Sequence, residues 1–315
     1  MEQQAINNEP GFILTPVLSK KILSLYSRGL SSVEIQDHLV KAYQVDMPLP
    51  AISMAADSIQ DEYQSWQDGA LDDVYPIVYL DSIVVKFRVG TTTRNQAVLF
   101  AVGIDMDGNK CPLGLWTTPN EDTGAWLQVI KSLARRGIKD IFIACVYGQH
   151  GIADALQAVL PRTETQLCVV RLIDHALNFV GWKDRKTAAA ALRTVYAADD
   201  AARAATALQV FMDEWDTRYP WIGQVWHTHW DELAAFFTQP APLREALYST
   251  NAIQSLHRTL RKVIKRHGAF TDANDLLVRL YLAESHLTQH WGRPLRHWKR
   301  TLNSLAVKYG RRTGL

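Results

Sequence analysis

The chain has 315 residues, with 47% apolar and 21% charged, an ordinary globular balance that argues against disorder. The formal net charge is only +2, yet 14 Lys and Arg face 4 Asp and Glu from Arg244 to Leu315, so the C-terminal part calls for an anionic partner. Three cysteines in apolar stretches (Cys111, Cys145, Cys168), no uncharged apolar run near the ~18 residues that cross a bilayer, and no basic, apolar leader point to a reducing, cytoplasmic setting.

Residues 1–70 read as a helical region. Met1 to Gly11 are polar and expected to be loose. From Val17, the positions Leu18, Ile22, Leu25 and Tyr26 share one helical face, and Gly29 ends it. Ser31 and Glu34 have capping-box spacing, followed by an apolar face of Ile35, Leu39 and Ala42. A third helix is expected from near Pro50 through Ile52, Ala56 and Ile59 towards Trp66. This order predicts a helix-turn-helix-like module. The third helix is not basic, so a DNA-reading role and a structural or oligomerising role both stay open.

Residues 71–171 change period. Val74 to Asp81 and Ile83 to Val89 read as strand, Ala97 to Ile104 as a second, and Cys111 to Thr117 as a third, with Asp105 to Lys110 as the tight turn between the last two. A helix is expected over Asp122 to Arg136, stopped at Gly137. Asp140 to Val146 is almost wholly apolar and is expected to be the central strand. A helix over Ile152 to Leu160 and a fifth strand over Thr165 to Val170 follow. The order βββαβαβ predicts an α/β protein with a mixed five-stranded sheet and resembles the ribonuclease H-like fold.

The stretch 172–240 is wholly helical in pattern. Trp215, Tyr219, Trp221, Trp226, Trp230, Phe236 and Phe237 are expected mainly in its core. Residues 241–315 carry the densest basic stretch, HRTLRKVIKRHG. Arg258, Arg261, Lys262, Lys265 and Arg266 recur at steps of three and four, which places most of them on one broad helical face. Such a face attracts nucleic-acid phosphates; a merely solvated helix face has the same pattern.

The segments YPIVYLDSIVVKFR, GNKCPLGLW, ARRGIKDIFI, RYPWIGQVWHTHWDELAAFF and YSTNAIQSLHRTLRKVIKRHGAF occur in this order. Together they resemble the mutator-type transposases of bacterial insertion sequences, from about Lys20 to Arg312. The resemblance implies a helix-turn-helix region, a ribonuclease H-like catalytic core completed by the basic C-terminal part, an all-helical insertion at 172–240, and double-stranded DNA, including terminal inverted repeats, as partner. It also implies three carboxylates that hold two divalent ions, usually Mg2+, for phosphodiester chemistry. The first is retained as Asp81, which alone would hold a metal weakly at best and reads rather as a leftover polar residue at a strand end. The second position, in a V-D-G-type motif, is Tyr147, and the third, in a T-N-A-I-E-type motif, is Gln254. A C-x-x-H motif common in the family reads Cys168 to Arg171, without the histidine.

A phenol with an ordinary pKa of about 10 and a neutral amide replace two anions. The expectation is therefore a DNA-binding family member with little or no strand transfer and no cofactor: an insertion-sequence remnant, a repressor or a host-adapted regulator. An active Mg2+-dependent transposase with an altered metal site is the alternative. A protein that forms mixed oligomers with an intact relative is another, and a homo-oligomer is compatible with either. Among acids that could rescue the site, Asp174 is the least implausible, ahead of Asp105, Asp107, Asp140 and Glu245. His227, His229 and Cys168 lack zinc-site pairing, Ser249 and Ser255 lack a nucleophile elbow, and DMDGN reads as a hairpin turn and not a calcium loop.

Overall fold

The computed structural model describes residues 15–57, 59–148, 151–249 and 251–314. Met1 to Gly11, expected to be loose, and Thr250 of the C-terminal motif lie outside the described residues.

Local chemistry starts the N-terminal helices. α1 (Pro16–Tyr26) has proline in its first turn, and the Thr15 hydroxyl accepts the Leu18 N–H. Proline is tolerated there because the N–H it lacks would have no helical partner. α2 (Ser32–Tyr43) opens on the expected capping box, in which Ser31 and Glu34 each satisfy the other's backbone N–H. The backbone bond from Ser31, then its hydroxyl, holds the Glu34 carboxyl below its usual range. Ile35 and Leu39 are buried as expected, whereas Ala42 is exposed where the helix runs out towards left-handed Gln44.

The single third helix expected from near Pro50 is instead two: α3 (Leu49–Asp57) and α4 (Gln60–Gln67). The division serves two docking surfaces. Ile52 and Ala55 of α3 are buried, and α3 packs on α1 and α2. α4 turns to the sheet, where the Gln67 side-chain oxygen accepts the Leu115 N–H at 3.0 Å.

β1 (Val74–Val89), β2 (Thr92–Ile104) and β3 (Lys110–Thr118) form the expected antiparallel meander. The turn before β3 is tied by the Asp105 carboxylate, which accepts N–H groups from Asp107 and Asn109 at 2.9 and 2.8 Å. Gly108 there has φ +85°, which side chains disfavour. α5 (Thr123–Arg135) is capped by Asp122, and β4 (Asp140–Val146), α6 (Ile152–Val159) and β5 (Glu164–Leu167) follow.

The sheet order is β3-β2-β1-β4-β5, with β4 and β5 parallel to β1. Two expectations need correction here. β4 is interior, but the central strand is β1; covered faces make β4 apolar wherever it stands between two neighbours. The fifth strand stops at Leu167 and not at Val170. Cys168 donates its N–H to the Val146 carbonyl at 2.7 Å and then serves as N-cap of α7 (Val169–Leu177), so two apolar residues expected in the strand begin a helix.

The chain continues through α8 (Arg185–Tyr196), α9 (Ala201–Trp215), α10 (Pro220–Thr228) and α11 (Trp230–Phe236). Trp215, Trp226 and Phe236 are buried as expected, while Trp221 is 59% exposed. α12 (Ala241–Ser249), α13 (Ala252–His267), β6 (Ala269–Phe270), α14 (Ala273–Thr288) and α15 (Trp298–Tyr309) complete the fold, with a 3-10 turn over Gly310–Thr313. β6 is a sixth strand beyond the five expected; it pairs parallel with Lys86 and Phe87. Two residues are too few for a periodic signal in sequence.

Alternation along β1 divides the core. Val78 and Leu80 face a cluster with Trp126 and Ile130 of α5 and Ile152 of α6. Ile77, Tyr79, Ile83 and Val85 face the larger cluster, with Leu172 of α7 and Leu256 and Leu260 of α13. Asp81 falls on this second face, amid apolar neighbours. Among the described residues, no helix is long and apolar enough to cross a membrane.

Candidate functional site

β1 and β4 last pair at Tyr79 and Cys145. Asp81 lies two residues further along β1, on the face of Tyr79, and Tyr147 lies two residues past Cys145, just beyond the end of β4. Asp81 is 1% exposed. Its Oδ1 accepts the Ser82 N–H at 2.9 Å, and its Oδ2 lies 2.7 Å from Nε of Arg171. The early turn into α7 brings that arginine over the strand ends.

Arg171 is the hub of the site. Its Nη1 pairs at 3.2 Å with Asp174, three residues along α7. Its Nη2 lies 3.0 Å from Nε2 of His257 on α13. Asp174 Oδ1 also accepts from Gln254 Nε2 at 3.0 Å and from Arg258 Nη2 at 3.2 Å. One polar chain, Asp81–Arg171–Asp174–Gln254, therefore ties β1 to α7 and α13. Beside it, the Tyr147 hydroxyl meets His175 Nδ1 at 2.5 Å, and the Tyr147 ring packs on the rings of His175 and His229.

The protonation states follow from burial and from Arg171. Burial, then the Arg171 charge, pushes His257 down to about 3, so its neutral ring can accept from the guanidinium. Burial pushes the Tyr147 hydroxyl up to about 12, and it stays a phenol at neutral pH. Burial alone would raise Asp174; hydrogen bonds from Gln254 and Arg258 and the Arg171 charge outweigh it and hold the carboxyl below its usual range. His175 is lowered by burial, then by Arg171 and His229.

The network thus gathers Asp81 and Gln254, two of the residues the sequence singled out, with Tyr147 alongside. Sequence reasoning missed the centre. Arg171 was seen only as a missing histidine and Asp174 only as a spare acid. The available signal was their three-residue spacing directly after Cys168, which pairs opposite charges on a helix. The other acids are elsewhere: Asp140 at the opposite end of β4, Asp105 in the hairpin turn, and Glu245 exposed on α12. Among the described residues, no three or more His, Cys, Asp and Glu side chains gather as for a metal ion.

The five cations of the basic stretch are all exposed on α13, opposite a buried face of Ile253, Leu256, Leu260, Val263 and Ile264. They do not form one sheet of charge. Arg258 turns to Asp174. Arg261 and Lys265 line a cavity of about 400 Å³ with Arg171 and His257. Lys262 and Arg266 line another of about 510 Å³ with Arg28, His286 and His290.

Comparison with known proteins places the chain among transposases. It is 38% identical over 298 residues to the transposase for insertion sequence element ISRM3 of Rhizobium meliloti (strain 1021), covering 94% of this chain and 74% of that protein. It is 36% identical over 312 residues to a probable transposase for an insertion sequence element of Corynebacterium diphtheriae, covering 93% and 91%. A more distant relative, the transposase for IS905 of Lactococcus lactis subsp. lactis (strain IL1403), is 25% identical over 84% of this chain and 68% of its own. Residues 15–293 match the model of the Mutator family of transposases. The chain belongs to that family, and its field of action is DNA transposition.

Proposed function

We propose that this chain is a DNA-binding mutator-family protein that engages duplex DNA, including insertion-sequence terminal inverted repeats, without cutting it. The observation that carries this reading is the guanidinium of Arg171 against Asp81. A two-ion centre needs anionic oxygen to offset about four positive charges. At the three expected positions the chain offers one carboxylate already matched by arginine, one phenol and one amide. The amide donates its N–H to Asp174, so a carboxylate there would face another carboxylate. These side chains do not fit a pair of divalent ions. The centre reads better as a scaffold of ion pairs and hydrogen bonds.

The three antiparallel strands followed by two parallel ones support a ribonuclease H-like core at 71–171, completed by 241–315, with 172–240 as the helical insertion. Helices α1 to α4 supply the helix-turn-helix-like part at 1–70. Arg258, Arg261, Lys262, Lys265 and Arg266 are assigned to DNA phosphates, and the protein to the cytoplasm, associated with the nucleoid when bound.

The test is a salt titration of duplex binding with nicking assayed in parallel. Affinity should fall steeply with salt, with a log–log slope of roughly 0.9 per phosphate engaged. Arg261→Gln with Lys265→Gln should lower that slope by about 2. Mg2+ should produce no nicks. Nicking of inverted-repeat DNA that Asp81→Ala abolishes would instead establish an active enzyme. Absent DNA binding with co-purification of an intact relative would establish the mixed-oligomer role.

A further inference from the structure

Arg171 is not used up by its buried partners. Nε faces Asp81, Nη1 faces Asp174 and Nη2 faces His257, yet the side chain remains 15% exposed. What remains open faces the cavity of about 400 Å³ shared with Arg261 and Lys265. This cavity lies over a gap in the sheet. Pairing of β1 with β4 ends at Tyr79, and pairing with β6 begins at Lys86. Within the gap Asp81 Oδ1 accepts the Ser82 N–H, and Ser82, Ile83 and Val84 line the cavity.

The charge around the cavity is one-sided. Asp81 and Asp174 sit behind the guanidinium, and Arg258 shares Asp174 with it. Among the described residues that line the cavity there is no acid. Arg261 and Lys265 therefore add cationic charge that the wall does not offset. A planar guanidinium flanked by two further cations matches the shape and charge of a phosphate group.

We infer that the Arg171 guanidinium stands between Asp81 and Asp174 where the family's divalent ions would be held, and that the cavity in front of it, walled by Arg261 and Lys265, seats one DNA phosphodiester without metal. This rests on the DNA-binding reading above and gives it a specific seat. A guanidinium holds a phosphate by charge and hydrogen bonds but supplies no activated water, so the seat positions a backbone and leaves its bonds intact.

The experiment uses the full chain and two small probes, inorganic phosphate in EDTA and Mn2+, read by thermal unfolding. Phosphate at millimolar levels, against a chloride control of equal ionic strength, should raise the midpoint of the unaltered protein by roughly 2–4 °C. The exposed-site double variant Arg261→Gln and Lys265→Gln should lose that rise. Mn2+ should leave the unaltered protein unchanged and stabilise Arg171→Ala, in which the guanidinium between Asp81 and Asp174 is gone; bound Mn2+ should also appear in its electron paramagnetic resonance spectrum. If Arg171→Ala does not fold, the phosphate arm decides alone. A phosphate rise that needs a divalent ion, or that survives in the double variant, overturns the inference, as does Mn2+ binding by the unaltered protein. Loss of duplex binding with the phosphate rise intact would sink the DNA reading while leaving the anion seat in place.

Discussion

The parallel pair β1–β4 carries a buried aspartate at each end, and each is held by arginine. The two ends nevertheless behave differently. Asp140 receives a fork from Arg312, at 2.9 and 2.8 Å, and a further bond from Arg162 at 3.1 Å. Arg312 also lies over the rings of Phe142 and Tyr309. That end is saturated and fastens the C-terminal turn to the sheet. At the Asp81 end one guanidinium is divided among two carboxylates and a histidine, and part of it faces a cationic cavity. The same residue types make a clamp where two guanidinia close on one carboxylate, and an anion-facing wall where one guanidinium is shared between carboxylates and opens beside Arg261 and Lys265.

A third buried carboxylate sharpens the contrast. Glu284 on α14 is 1% exposed, and among the described residues its Oε1 has no hydrogen-bond partner. Burial raises it from 4.5 to about 8. With no arginine beside it in a matched pair, the acid is kept neutral instead of being neutralised.

The largest effect should come from removing an arginine that holds a buried aspartate. Arg171→Met should lower unfolding free energy by about 3–5 kcal/mol in urea titrations, because it takes the guanidinium away from a carboxylate that is 1% exposed, and Arg312→Met should cost less, because Arg162 still bonds Asp140. Adding Asp81→Asn to the first and Asp140→Asn to the second should recover much of the loss. Only the Arg171 pair should also lose phosphate binding; loss at both ends would break the comparison.

Glu284 should give the next effect, as a pH dependence. Its folded-state pKa lies above its unfolded value, so the stabilisation is complete below about 4.5 and is lost as pH rises through about 8. Glu284→Gln should flatten that decline, which should amount to the order of 3–5 kcal/mol. An unchanged pH profile in the variant would show that the neutral acid is not what buries there.

The smallest effect concerns an exposed carboxylate satisfied locally. Ser31→Ala should remove the capping box of α2 and lower stability by about 1 kcal/mol, read as a fall in thermal midpoint. A loss as large as that at Arg171 would mean that exposed and buried acids are not distinguished as argued.

Much of the fold was legible because its signals are local or strongly periodic. The β4 boundaries, the meander, the Ser31 capping box and the Asp105 turn all follow from neighbours within a few residues. The misjudged pieces were set by distant partners. Val169 and Val170 are as apolar as a strand requires, but the Cys168 bond to Val146 turns the chain into α7 there. β6 exists only because β1 is alongside it. Asp81, Tyr147 and Gln254 could be singled out from motifs, yet what each side chain binds could not. That depended on how α7 and α13 meet over the strand ends.

The sequence alone therefore determined the family, the order of the first five strands, the basic helix and the replacement of two carboxylates, since residue identity and short spacings suffice for each. Tertiary structure decided where Arg171 sits, which acids it neutralises and which cations of α13 remain free to face a cavity. Those are facts of proximity, and electrostatic energy depends on distance and burial, which residue order alone does not contain.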